Sequence, residues 1–136
     1  MDRFTNLDND RMIERIIETL NKFSVVKCLV EANNQGLPVI QQLISKGMWK
    51  VEAFQTTATS KPQLINNFIY CFNSGEVRFL NIPEVIEEFK AFGYELSKGG
   101  HVKFKANYGH DDIVMATAIA WNCFQNNRWA GQFVFA

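Results

Sequence analysis

Two short acidic segments are the parts of this chain best suited to chemistry. Glu31 directly follows an apolar run at residues 25–30, and His110, Asp111 and Asp112 directly precede another at residues 113–121. If Glu31 and Asp112 approached to about 4 Å, their repulsion would be on the order of 4 kcal/mol at an effective dielectric of about 20. Either one carboxyl would be protonated or a divalent cation would bind. Since only oxygens would bind it, Mg²⁺ or Mn²⁺ is expected, in a site of the kind that hydrolyses phosphodiesters with two metals.

Each acidic segment also has a plainer interpretation. Glu31 could be a surface residue that caps the next helix. Asp111 and Asp112 could complement a helix dipole, at about 0.3–1 kcal/mol each. Spacing alone does not show that the two segments meet, so these alternatives stay open. The three cysteines lie far apart and form no CxxC pair, which argues against zinc and for buried thiols.

Alternating helices and strands must position these acids. Apolar periodicity, turn residues and prolines predict the boundaries. We expect helices at about residues 11–22, 38–46, 61–73, 83–92 and 111–127, with Asn9 and Asp10 capping the first. We expect strands at residues 25–30, 50–55 and 76–80, a hairpin of residues 94–96 and 102–105, and a last strand or docked tail at residues 133–135. The alternation predicts one three-layer α/β domain, residues 1–136, with the first strand and the last helix buried.

Composition excludes several classes of protein. The chain has 136 residues, 47% of them hydrophobic and 21% charged, which is ordinary for one globular domain. Its 14 basic and 14 acidic residues cancel, which argues against a stand-alone protein that grips DNA by bulk charge. No apolar run approaches the roughly 20 residues that a membrane crossing needs, and the polar first ten residues are not a signal peptide.

Four segments, in order, resemble the nuclease domain of phage-type DNA-packaging terminase large subunits. They are VEANNQG (residues 30–36), TTATSKPQLI (56–65), EVRFLNIPEVIEEFKAF (76–92) and GHDDIVMATAIAW (109–121). The resemblance implies an RNase H-like fold with a mixed central sheet, and an endonuclease that cuts concatemeric viral DNA with divalent metals. It makes Glu31 the second catalytic acid and metal ligand, Asp112 the third, and Asp111 an alternate ligand. His110 and Lys61 would support them, against the plainer interpretations of a turn histidine and a solvated lysine.

One departure from the family pattern changes the expectation for activity. Family members begin this domain with a strand that carries the first catalytic Asp, whereas this sequence starts after the first strands. We therefore expect weak binding of Mg²⁺ or Mn²⁺ and poor cleavage, or none, by this chain alone. We also expect an exposed sheet edge, and hence a dimer or larger assembly through strand pairing.

The resemblance also implies partners and a location. The partners would be double-stranded DNA, a terminase ATPase domain, a small terminase subunit and a portal, in the cytoplasm of a bacterial host. Two other functions remain open. One is a catalytically inactive prophage remnant that docks DNA or a packaging partner. The other is a piece of a different RNase H-like enzyme, such as a resolvase or transposase.

Overall fold

The computed structural model describes residues 8–33 and 36–128 of the chain. The chain divides into two compact units, Met1–Gln55 and Thr56–Ala136, called unit 1 and unit 2 below. The predicted last strand or docked tail at residues 133–135 lies outside the described residues. Among the described helices, none combines the length and apolar character that a bilayer crossing requires.

Unit 1 opens with an amphipathic helix, α1 (Asn9–Lys22). Its N-cap is Asp8, whose side chain accepts a hydrogen bond from the backbone N–H of Arg11 at 3.0 Å. The prediction that Asn9 and Asp10 supply the cap was therefore wrong by one residue, because both already lie inside the helix. Ile13 is fully buried, so α1 faces the core of unit 1.

A strand–helix–strand segment completes unit 1. It consists of β1 (Cys28–Glu31), α2 (Gly36–Ser45) and β2 (Val51–Phe54). The strands pair in parallel, and Glu31 lies opposite Phe54. The core residues of unit 1 are Ile13, Ile40, Leu43 and Val51. The prediction that β1 is buried on both faces was wrong, since Cys28, Leu29 and Val30 are only half-buried.

Up to residue 128, where its described part ends, unit 2 contains three helices and a hairpin. The elements are α3 (Ser60–Asn73), α4 (Pro83–Ala91), β3 (Phe92–Leu96), β4 (Val102–Ala106) and α5 (Asp112–Arg128). As predicted, β3 and β4 form an antiparallel hairpin, with Tyr94 opposite Phe104. Gly100 in its turn has a φ of 77°, a conformation that glycine adopts without steric cost. Among the described residues, hydrogen bonding thus gives one parallel and one antiparallel two-stranded sheet.

The segment between α3 and α4 is not a strand, contrary to the prediction for residues 76–80. Phe79 lies among the aromatic rings of Phe68, Phe72 and Phe89, with centroids 4.7 to 6.2 Å from its own. Side-chain packing therefore holds this segment in place of a strand ladder. The apolar content that suggested a strand is explained by this aromatic cluster.

Helix α5 is buried along one face. Its buried residues are Ile113, Val114, Met115, Ala118 and Ile119. Ala116 and Ala120 are exposed within the described part of the chain. The prediction that α5 is buried on nearly all sides was therefore wrong, because alanines are compatible with an open face as well as with close packing.

Candidate functional site

Glu31 is the last residue of β1, where the sequence placed it. The chain continues the parallel ladder for one more bond, from the N–H of Ala32 to the carbonyl of Phe54 at 2.8 Å. The Glu31 side chain is exposed, and its Oε1 accepts a hydrogen bond from the Asn33 amide at 3.3 Å. The carboxylate therefore stands at the carboxyl end of a parallel strand, where active groups of α/β sheets gather.

Gly36 fixes the backbone that follows Glu31. Its N–H donates to the carbonyl of Asn33 at 3.0 Å, and α2 begins at this glycine. A Cβ at this position would lie 1.8 Å from the backbone oxygen of Glu31. Only glycine allows this approach, so the end of β1 and the start of α2 constrain each other.

Asp111 and Asp112 mark the start of α5. Asp112 is the first helical residue and is exposed. The carbonyl of Asp111 accepts the bond from the N–H of Met115 at 2.9 Å, which places Asp111 just before the helix. His110 is exposed beside them, and its supporting role stays a prediction.

Lys61 contacts one of these acids directly. Its Nζ lies 2.8 Å from Oδ2 of Asp111, and the two side chains are 25% and 29% exposed. Lys61 belongs to the first turn of α3, 50 residues earlier in the chain. The plainer interpretation of a solvated lysine was therefore wrong. The pair gives Asp111 an internal counter-charge.

Glu88 also contacts the start of α5, and the sequence analysis did not identify it as a site residue. Its Oε1 accepts hydrogen bonds from the backbone N–H groups of Ile113 and Val114, the latter at 3.0 Å. It reaches α5 from α4, where Val85, Glu88 and Ala91 form the buried stripe. Their three-residue spacing was the available signal, because it places a carboxylate among core positions. A buried carboxylate needs hydrogen-bond donors, and the start of a helix supplies them.

The acidic side chains are of the type that binds a divalent cation. Within the described residues, however, too few of them lie together to form a complete metal site. Glu31 and Asp112 offer exposed carboxylates, the ligands that Mg²⁺ and Mn²⁺ prefer. Across residues 8–33 and 36–128, no group of three or more His, Cys, Asp or Glu side chains is placed to hold a metal ion. One or two carboxylates with water completing the shell can still hold Mg²⁺. The meeting of Glu31 with Asp112 stays a prediction.

Comparison with solved structures establishes the class of fold. The large terminase nuclease of the thermophilic phage G20c with bound magnesium has a TM-score of 0.79 and 23% sequence identity, over 89% of this chain and 65% of that chain. The same nuclease with bound cobalt gives a TM-score of 0.80 at 23% identity and the same coverage. The large terminase nuclease domain of Thermus phage P74-26 gives 0.73 at 22%, over 89% of this chain and 61% of that one. The chain therefore has the fold of these nucleases.

The sequence identifies the family. Residues 3–123 match the Terminase RNaseH-like domain, and the chain belongs to this family. The terminase large subunits of Thermus phage G20c and Thermus virus P23-45 are each 28% identical to it over 91 residues, which is 66% of this chain and 19% of theirs. The chain thus spans less than a fifth of the length of these two relatives in that match. The predicted family and its RNase H-like fold are confirmed.

Proposed function

We propose that this chain is the metal-dependent endonuclease part of a packaging terminase, which cuts concatemeric double-stranded DNA by two-metal phosphodiester hydrolysis. The observation that carries the proposal is the family match across residues 3–123, which includes both acidic segments. The bound magnesium and cobalt of the G20c nuclease support the use of divalent metals.

Glu31 and Asp112 are the proposed ligands for Mg²⁺ or Mn²⁺. Both carboxylates are exposed at the end of an element, so water and a phosphate can reach them. A bound divalent cation supplies Lewis acidity, which activates water and stabilises the leaving oxygen. In this proposal both residues would serve as ligands of the metal site that acts on the scissile phosphate.

Asp111 is the less suitable ligand of the acidic pair. Its carboxylate lies 2.8 Å from the Lys61 ammonium, so a cation would have to compete with an internal positive charge. Asp112 is the more exposed of the two acids and is the first residue of α5. We therefore assign Asp112 as the metal ligand and keep Asp111 as the alternate. Lys61 acts through Asp111, and His110 stays a supporting candidate.

The partners of the proposed function are those of a packaging motor. The substrate is double-stranded DNA. A terminase ATPase domain, a small terminase subunit and a portal complete the assembly in the cytoplasm of a bacterial host. The similarity to two phage terminase large subunits supports this setting.

A manganese titration with carboxamide variants tests the proposal. Isothermal titration with Mn²⁺ should show weak binding to the chain and a marked loss in Glu31→Gln and in Asp112→Asn. If the two carboxylates share a cation, the loss of affinity in the double variant should differ from the sum of the two single losses, because residues that share a partner are not additive. Glu14→Gln, an exposed acid on α1, is the matched control and should bind Mn²⁺ like the unchanged chain.

Additive losses in the double variant would contradict a shared cation. The second candidate function, an inactive docking module, is favoured by the finding that no three metal-ligating side chains gather among the described residues. It predicts DNA binding that is indifferent to Mn²⁺ and to both substitutions. Nicking of a supercoiled plasmid that requires Mn²⁺ and is lost in Glu31→Gln would exclude the docking module.

A further inference from the structure

Glu88 is the charged residue that the described part of the chain buries, with 7% of its surface exposed. Burying an ionised carboxylate is costly unless donors surround it. Its immediate neighbour Glu87 shows the ordinary alternative, because it is exposed and lies 3.1 Å from Lys90 in an ion pair on the surface of α4. A buried acid on the same helix therefore needs a specific explanation.

The donors that surround Glu88 belong to the start of α5. The first N–H groups of a helix have no partner within the helix, and those of Ile113 and Val114 both donate to Oε1 of Glu88. The positive end of the helix dipole also faces this carboxylate. Glu88 thus supplies from α4 the cap that a local side chain usually provides.

The residue that would normally provide that cap is engaged elsewhere. An Asp just before a helix commonly accepts from the second or third helical N–H. Asp111 occupies that place, but its carboxylate contacts Lys61 at 2.8 Å. Glu88 caps the helix while Lys61 holds Asp111. Asp112, the first residue of α5, lies in sequence between Asp111, which Lys61 contacts, and Ile113, whose N–H donates to Glu88.

We propose that Glu88 is a positioning residue for Asp112. It fixes the first turn of α5, and with it the direction in which the Asp112 carboxylate is presented to a divalent cation. The inference deepens the proposed function and rests on Asp112 being a metal ligand. Glu88 itself does not touch the cation. It would act through the backbone of the first turn of α5, and the loss of groups that orient a metal's ligands typically costs about 10–100-fold in metal affinity.

The test compares Glu88 with Glu87. Mn²⁺ affinity is measured by titration for Glu88→Ala, Glu88→Gln and the control Glu87→Gln, at a temperature where circular dichroism shows each variant folded. We expect about a tenfold loss in Glu88→Ala, a smaller loss in Glu88→Gln because its neutral amide oxygen can still accept from both N–H groups, and no change in Glu87→Gln. Amide hydrogen exchange at Ile113 and Val114 should accelerate in the same order.

Should Glu88→Ala fail to fold, Glu88→Gln decides, because it keeps the size of the side chain. Unchanged Mn²⁺ affinity in the folded Glu88 variants would overturn the positioning role while leaving the proposed function intact.

If the unchanged chain does not bind Mn²⁺, this result would instead contradict the proposed function. The positioning role is then tested by the ¹³C chemical shift of the Asp112 carboxyl. A shift that moves in Glu88→Gln but not in Glu87→Gln supports the role, and one that moves in neither overturns it.

Discussion

The two acidic segments are held by different kinds of interaction. In unit 1, the backbone positions Glu31 through a parallel strand pair and the close approach of Gly36, while the side chain itself is exposed. In unit 2, side chains from two other helices hold the start of α5, Lys61 by an ion pair and Glu88 by two hydrogen bonds.

This difference determines which substitutions matter in each unit. Where the backbone positions an acid, conservative changes of nearby polar side chains should have little effect, whereas a change in backbone shape should be severe. Where charged side chains position an acid, a single substitution that removes one of those charges should measurably destabilise the surroundings of that acid. Three predictions test this contrast, from the largest expected effect to the smallest.

Gly36→Ala should have the largest effect. The new Cβ would lie 1.8 Å from a backbone oxygen, so the end of β1 must shift. We expect a loss of about 3 kcal/mol in the free energy of unfolding, at the upper end of overpacking costs, measured by urea denaturation. Gly99→Ala is the control, because a Cβ there meets only the side chain of His101 at 3.3 Å. Equal effects of the two substitutions would contradict backbone positioning of Glu31.

Lys61→Met should have an intermediate effect. The substitution keeps the unbranched stem of the side chain, one atom shorter, but removes the charge that contacts Asp111. We expect a loss of about 1 kcal/mol in the free energy of unfolding, at the upper end for ion pairs because both partners are about three-quarters buried. The loss should shrink at 1 M NaCl, where the Debye length falls to about 3 Å. A loss that is independent of salt would show that packing of the lysine stem, and not its charge, holds Asp111.

Lys105→Met should have the smallest effect. It removes an ion pair outside both acidic segments and so serves as a reference for the other two substitutions. The side-chain hydrogen bond from Lys105 lowers the pKa of Glu95 in the exposed hairpin. A lowered folded-state pKa stabilises the protein above the unfolded pKa, and the stabilisation disappears as the pH falls through the folded value. NMR titration of the Glu95 carboxyl should show its pKa rising toward the ordinary value in the variant. An unchanged pKa would contradict the contact.

The sequence predicted the elements better than the contacts between them. Helical periodicity placed α1 to within about two residues, and the turn residues identified the hairpin, because both signals are local. The position of Glu31 at a strand end followed from the apolar run before it. The strand predicted at residues 76–80 failed because the apolar side chains of that segment serve an aromatic cluster, and a one-dimensional pattern does not distinguish the two uses.

The polar contacts at the start of α5 could not be predicted from local sequence patterns. Lys61 and Asp111 are 50 residues apart, and Glu88 lies 25 residues before Ile113. Spacing along one helix could mark Glu88 as buried, but it could not say which donors it meets. The resemblance to a family named Lys61 as a supporting residue, and the structure supplies its partner.

The separation of Lys61 from Asp111 along the chain also bears on how the protein folds during synthesis. The parallel pair of β1 and β2 closes a loop between Cys28 and Val51, whereas the Lys61–Asp111 contact closes one about twice as long. Doubling a loop adds only about 0.6 kcal/mol of closure entropy, so length itself is a minor obstacle. Order of emergence matters more, because the ribosome releases both strands of unit 1 long before α5. The Glu31 end can therefore form on the nascent chain, while Asp111 and Asp112 must await the translation of α5.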